Sequence, residues 1–358
     1  MKSAKSTKVT TATKVTKSTK AAKPTQPAAK AKHKLGWIGM GRMGYAMASR
    51  LLDGGCDVSV WNRTQAKAEP LAAHGAKVVS RISELSGCDI VFTMVSTTDD
   101  LKQVLFGKGG LLTGKRKPRA VIDNSSISEE GSAEIRAECE RLKVAYLCAP
   151  VSGNAKVAKA GLLWVVVSGP KAAFTLAEPY LAMFGRGSTY VGEGELARIW
   201  KIAHNTMFGV IIQSLCEITV MAEKAGIPRH VFLDSINNSV LGSMYTRYKT
   251  PVLTNLTFDQ VTFTPKLLLK DMDLGMGAAK HYGVPMPAAA ATRESVSALV
   301  GRGYDDVDFA ILLKEIATAS GLKIKSENKK VPDGLGHCGL GHCGLGHCGV
   351  GIKQEGGR

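Results

Sequence analysis

From Leu35 onward, apolar residues fall into short unbroken runs separated by longer amphipathic stretches. The runs Leu35–Ile38, Ile90–Val95, Ala120–Asp123 and Ala145–Cys148 show no polar alternation, which predicts strands buried on both faces, and Val58–Trp61 reads as another short strand. The stretches between them, such as Arg42–Asp53 and Glu129–Leu142, have helical spacing. Strands alternating with helices predict a parallel, doubly wound α/β sheet. Leu163–Val167, closed by Gly169 and Pro170, continues the series.

Beyond Gly194 the strand pattern fades. Glu195 to about Ala225 has helical spacing with Gly209 as its one internal glycine, and Gly226 and Pro228 stop it, as helix ends usually do. Arg229–Asn237, Thr264–His281, Ala288–Gly301 and Asp305–Ser320 predict further helices. The chain thus divides into a tail (1–34), a sheet domain (35–193), an all-α domain (194–325) and a second tail (326–358). No apolar run reaches the length of a membrane span.

Charge changes the picture only at the ends. Of the +17 net charge, +10 comes from the lysines of residues 1–34, which hold no acid, and +6 belongs to the body between the tails. The basic segment has almost nothing to bury, so disorder is expected. It reads as a solvated tail, as an arm for nucleic acid or another anionic surface, or as an organelle transit segment. The other tail carries three copies of Gly-Leu-Gly-His-Cys between Gly334 and Cys348. This is low-complexity sequence whose ligand spacing does not match a standard zinc module, so no metal is assigned. The remaining cysteines, Cys56, Cys88, Cys139, Cys148 and Cys216, are scattered and read as free buried thiols in a reducing, cytoplasmic setting.

Two clusters carry chemistry. Gly39-Met40-Gly41-Arg42-Met43-Gly44 follows a predicted strand and opens a predicted helix, the context a dinucleotide fingerprint requires. Gly39 serves the tight turn, Gly41 the approach of a pyrophosphate to the backbone, and Gly44 close helix–strand packing. The next strand ends at Asn62-Arg63-Thr64, with no acid to hold a ribose 2′-hydroxyl. A guanidinium there favours a 2′-phosphate, hence NADP(H) over NAD(H).

The second cluster joins a Ser152-Gly153 turn at a strand end to a helix bearing Lys201 and Asn205. The turn offers a hydroxyl and backbone N–H groups suited to a carboxylate. The helical pair, four residues apart, shares a face, and apolar neighbours would lower the lysine pKa toward that of a general acid/base. Met207, Phe208, Asn238 and Tyr245 are candidate pocket residues.

The segment Leu35–Leu322 resembles the β-hydroxyacid dehydrogenase family, which includes 3-hydroxyisobutyrate dehydrogenase, tartronate semialdehyde reductase and glyoxylate/succinic semialdehyde reductase. The resemblance rests on five motifs in order: the glycine fingerprint, Asp123-Asn124-Ser125-Ser126, Pro150-Val151-Ser152-Gly153, the Lys201/Asn205 helix, and Lys270-Asp271. It implies a Rossmann-type domain followed by an all-α domain that dimerises or tetramerises. It also implies NADP-dependent interconversion of a small 3-hydroxy acid and its semialdehyde. Lys201 would exchange the proton, Asn205 would hold the substrate, and Ser152 and Gly153 would bind its carboxylate. Val95, Ser96 and Ser126 would border the nicotinamide, with Lys270 reaching over it. Ser126 stands where the family usually has Thr, and Ser96 where many members have Pro. Two other readings compete, an imine-reductase-like NADPH enzyme and a nucleic-acid-associated protein using the domain as a scaffold. Proteins of both kinds usually lack a lysine at the Lys201 position.

Overall fold

A computed structural model describes residues 33–335. The readings of the basic segment up to Lys32 and of the Gly-Leu-Gly-His-Cys copies beyond Leu335 lie outside the described residues.

The first half alternates as its apolar runs require. It contains β1 (Leu35–Ile38), α1 (Arg42–Asp53), β2 (Val58–Trp61), β3 (Lys77–Val78), β4 (Ile90–Thr93), α2 (Thr98–Phe106), β5 (Ala120–Asp123), α3 (Glu129–Arg141) and β6 (Ala145–Cys148). These strands form a parallel sheet in the order β3-β2-β1-β4-β5-β6. The order reverses between β1 and β4, and in open α/β sheets the crevice at such a point takes the ligand. Apolar clusters cover both faces, which is why β1, β4 and β5 carry no polar alternation. Trp37 stacks on Phe92 at 5.5 Å, and Phe184 meets both rings edge-on.

The sheet then departs from the sequence pattern. β7 (Val151–Ser152), α4 (Ala155–Lys159), β8 (Leu163–Ser168), α5 (Lys171–Leu181) and β9 (Gly185–Gly192) follow. β8 joins the sheet as predicted, but antiparallel to β6, with β7 antiparallel and β9 parallel to it. The Ser152-Gly153 turn lies where the chain reverses from β7 toward β8. β4 ends at Thr93 rather than Val95, because the Val95 N–H is taken by the Ser125 hydroxyl at 2.9 Å and leaves the ladder. β9 escapes the sequence pattern because three glycines dilute it.

The second half is helical: α6 (Leu196–Lys224), α7 (Arg229–Asn238), α8 (Met244–Asn255), α9 (Pro265–Tyr282), α10 (Pro287–Gly301) and α11 (Leu312–Ala319). The pattern misses α8, where Pro251 and the polar run before it hide the period. The predicted helix at Asp305–Ser320 is a 3-10 turn at Phe309–Ile311 followed by α11. Asp308 stays outside the helix because its carboxylate is engaged by Lys249 and Thr262. α6 is long and apolar enough, by length and composition, to cross a membrane. In this fold Ile212, Leu215, Cys216 and Val220 bury that surface in the helical core, against α9, α10 and α11. The five scattered cysteines are all free and buried. Residues 326–335 contain no helix or strand and return to the helices, where Glu327 accepts the Arg229 and His230 N–H groups.

One buried charge docks α6 on the sheet. Arg198 is 1% exposed. Its guanidinium pairs with the Asp123 carboxylate at the end of β5 and donates to the Ser125 carbonyl, the Tyr146 hydroxyl and the Ser132 hydroxyl. Removing one partner strands the other charge in the core. Arg198→Met is therefore expected to cost about 3–5 kcal/mol of stability, seen as a fall in the urea midpoint. An unchanged midpoint would mean that the clamp contributes nothing to folding.

Candidate active site

The glycine fingerprint is built by steric need. Gly39 leaves β1 with φ +99°, and a Cβ there would lie 2.2 Å from the Met94 carbonyl oxygen. A Cβ on Gly44 would lie 1.9 Å from the Gly39 oxygen, so α1 packs on the strand only with glycine present. Gly41 differs: it caps α1, and a Cβ there would meet nothing within 4 Å. The helix N-terminus thus opens onto free space with no acid in its first turn, a fit for a pyrophosphate.

Neighbouring residues brace this loop. Met40 donates its N–H to Asn62 Oδ1 at 2.8 Å, and Asn62 Nδ2 donates to the Thr64 carbonyl at 2.8 Å. The Asn62 side chain is therefore spent on the loop itself. Met43 is half-buried against the core. Arg63 is 84% exposed and pairs with Asp100 at 3.2 Å, a contact worth little in water. Thr64 and Ser96 are exposed, Val95 is half-buried at the mouth of the crevice, and the Ser126 carbonyl accepts Lys270 Nζ at 2.9 Å.

Three residues beyond the Arg198 clamp, α6 presents Lys201. Its ammonium donates to the Val151 carbonyl at 2.8 Å. Burial pulls its pKa down to about 8; Lys270 acts in the same direction, and Asp271 opposes it. One turn on, Asn205 Nδ2 donates to Asp271 Oδ2 at 2.6 Å, and Lys270 lies 3.3 Å from the other Asp271 oxygen. This contact between α6 and α9 needs Gly275, where a Cβ would fall 1.9 Å from Thr206 Oγ1.

A cavity of about 240 Å³ opens beside Lys201 and Asn205. Ser152 and Gly153 line it. Its far wall is aromatic, made by Phe208, Tyr245, Tyr248 and Phe263. Of the candidate pocket residues, Phe208 and Tyr245 reach it. Met207 is 65% exposed on another face of α6, and exposed Asn238 bonds back to Asp234, so neither lines it. Helix phase explains this: Met207 is two residues past Asn205, nearly opposite on the wheel.

Known proteins resemble this chain over most of its described length. Residues 34–192 match the NAD-binding domain of 6-phosphogluconate dehydrogenase, and residues 194–316 match the NAD-binding domain of NADP-dependent 3-hydroxyisobutyrate dehydrogenase. The chain is 30% identical over 286 residues to glyoxylate/succinic semialdehyde reductase 2 of Arabidopsis thaliana, covering 80% of each protein. It is 32% identical over 285 residues to an uncharacterized oxidoreductase of Bacillus subtilis, covering 78% of this chain and 99% of that protein. The chain belongs to the β-hydroxyacid dehydrogenase family. A solved 3-hydroxyisobutyrate dehydrogenase of Salmonella typhimurium superposes with a TM-score of 0.70 at 27% identity, covering 79% of this chain and 99% of that one.

This β-hydroxyacid dehydrogenase is an oxidoreductase that uses a nicotinamide dinucleotide. Reading from the sequence missed His204, whose ring lies between Ser152 and Asn205 with bonds of 3.0 and 2.9 Å. Its position one residue before Asn205 was visible, but its contacts depend on the fold. The open space at Gly41 gives a test. Gly41→Ala is expected to fold with near-native stability and to weaken dinucleotide binding roughly tenfold or more by filling the cradle, measured by fluorescence titration. Unchanged affinity would place the pyrophosphate elsewhere.

Proposed function

We propose that this protein interconverts a small 3-hydroxy acid and its semialdehyde using NADP(H), with Lys201 exchanging the proton. The observation that carries this reading is the Lys201 ammonium, which faces the aromatic-walled cavity and is pulled down to about 8 by burial. A proton donor near working pH is what general acid/base catalysis needs. The bound cofactor supplies or accepts the hydride. The chain's own residues do the rest. The Val151 carbonyl aims the ammonium, and Asp271 anchors Asn205 beside it. During reduction Lys201 gives its proton to the oxygen that gains charge; during oxidation it takes the hydroxyl proton. Ser152 and Gly153 hold the carboxylate, and the aromatic wall excludes water from the reacting carbon.

The preference for NADP(H) over NAD(H) is supported by the end of β2, where Asn62 replaces an acid and Arg63 is exposed. Its bond to Asp100 is weak enough for a 2′-phosphate to displace. The catalytic assignment also distinguishes this chain from the imine-reductase and scaffold readings, in which no lysine is expected at this place.

Lys201→Ala is expected to leave cofactor affinity near wild type and to lower kcat by orders of magnitude with 3-hydroxyisobutyrate or its semialdehyde. The pH profile should follow the same residue. Oxidation needs the neutral amine, so its rate climbs through about pH 8; reduction needs the ammonium, so its rate falls above that point. Wild-type turnover in the alanine variant would remove Lys201 from the mechanism. Arg63→Asp is expected to raise KM for NADPH far more than KM for NADH, and an equal loss for both would defeat the 2′-phosphate assignment.

A further inference from the structure

His204 occupies a place that the proton exchange at Lys201 does not use. Its ring is held between Trp200, at 4.9 Å between centroids, and Phe208, at 6.3 Å. Both of its nitrogens are engaged: Nε2 lies 3.0 Å from Ser152 Oγ, and Nδ1 lies 2.9 Å from Asn205 Oδ1.

The directions of these bonds follow from the acid at one end. Asp271, with the Lys270 ammonium beside it, accepts from Asn205 Nδ2. Asn205 therefore turns its carbonyl oxygen toward His204, and an amide oxygen only accepts. His204 Nδ1 must then carry the hydrogen. In a neutral ring this leaves Nε2 with a lone pair, so the Ser152 hydroxyl donates its one hydrogen to His204. Ser152 then presents only lone pairs to the cavity, which repel a carboxylate. If His204 takes a proton, Nε2–H donates to Ser152 Oγ, and the serine hydrogen swings free to meet the carboxylate.

We propose that His204 is a positioning residue that sets the polarity of Ser152, so that a carboxylate substrate binds together with a proton taken up by the imidazole. The inference rests on the reading that Ser152 meets the substrate carboxylate. The surroundings hold the ring neutral until that charge arrives. Burial and Lys201, on the same helix, both lower its pKa, while the Asn205 bond raises it. From α9, the charged pair Lys270 and Asp271 faces Asn205, on the far side of it from His204. Arg186 of β9 and Tyr245 and Tyr248 of α8 complete the titratable lining. An entering carboxylate adds a negative charge beside the Ser152–His204 pair, and Trp200 offers its face to the resulting cation. By linkage, binding the anion raises the His204 pKa, and protonating His204 tightens the anion by the same factor. Between the free and bound pKa values, affinity falls about tenfold for each pH unit of increase.

The test uses the full chain loaded with NADP⁺ and titrated with isobutyrate, a carboxylate without the reacting hydroxyl. Calorimetry in two buffers of different ionisation enthalpy counts the protons taken up. Wild type and Lys201→Met are expected to take up a proton fraction near neutral pH, which separates His204 from the other titrating amine. In the Lys201→Met background, adding His204→Asn or Ser152→Ala is expected to leave isobutyrate binding with that uptake lost and with a flat pH dependence, whereas Ser152→Thr keeps both. In that background, uptake retained with His204→Asn, or with Ser152→Ala should the first variant fail to fold, overturns the inference but leaves the carboxylate reading intact. No binding of isobutyrate by wild type at any pH overturns that reading, and this inference with it.

Discussion

The pairing of Arg198 with Asp123 is the constraint on which the site depends. Two full charges, each at most 1% exposed, stay in a core only when they satisfy one another and find further hydrogen bonds. The guanidinium finds these bonds at the Ser125 carbonyl, Tyr146 and Ser132, so the first turn of α6 is fixed against the carboxyl ends of β5 and β6. Lys201 follows one turn later. Its position over the end of β7, where it reaches the Val151 carbonyl, is inherited from the clamp. The same Asp123 accepts from Thr93 and Ser125, and Ser125 in turn holds Val95 at the mouth of the crevice. One carboxylate thus links the carboxyl ends of β4 and β5 to the helix that carries Lys201.

The second link runs between helices. α9 crosses α6 at Gly275 and brings Lys270 and Asp271 against Ser126 and Asn205. The electrostatics around Lys201 are therefore shared among elements. Burial and Lys270 push its proton off, Asp271 pulls it back, and the balance lies near 8. A fully solvated lysine would stay charged across the working range and would make a poor base.

The glycine fingerprint illustrates how one motif holds residues of unlike purpose. Gly39 and Gly44 are required by the fold, since any side chain there would strike backbone. Gly41 differs, since a Cβ there would meet nothing in the fold within 4 Å. Asn62, one strand away, belongs with the first pair: its two bonds shape the loop, whereas the neighbouring Arg63 is exposed and paired with Asp100.

The sequence by itself determined the buried strands, because a segment covered on both faces must be apolar throughout, and it determined the α1 glycines and the long α6, whose periods are local. It also placed Lys201 and Asn205 on one face, a consequence of helix geometry alone. It did not determine that β8 runs backwards, that α8 exists despite Pro251, or that Met207 faces away from the cavity while Tyr248 and Phe263 close it. These depend on contacts between residues far apart in the chain, which local period does not record. The role of Asp271 belongs to the same class. Only the folded chain sets its carboxylate 2.6 Å from Asn205, and from that single contact the hydrogen-bond directions through His204 to Ser152 follow.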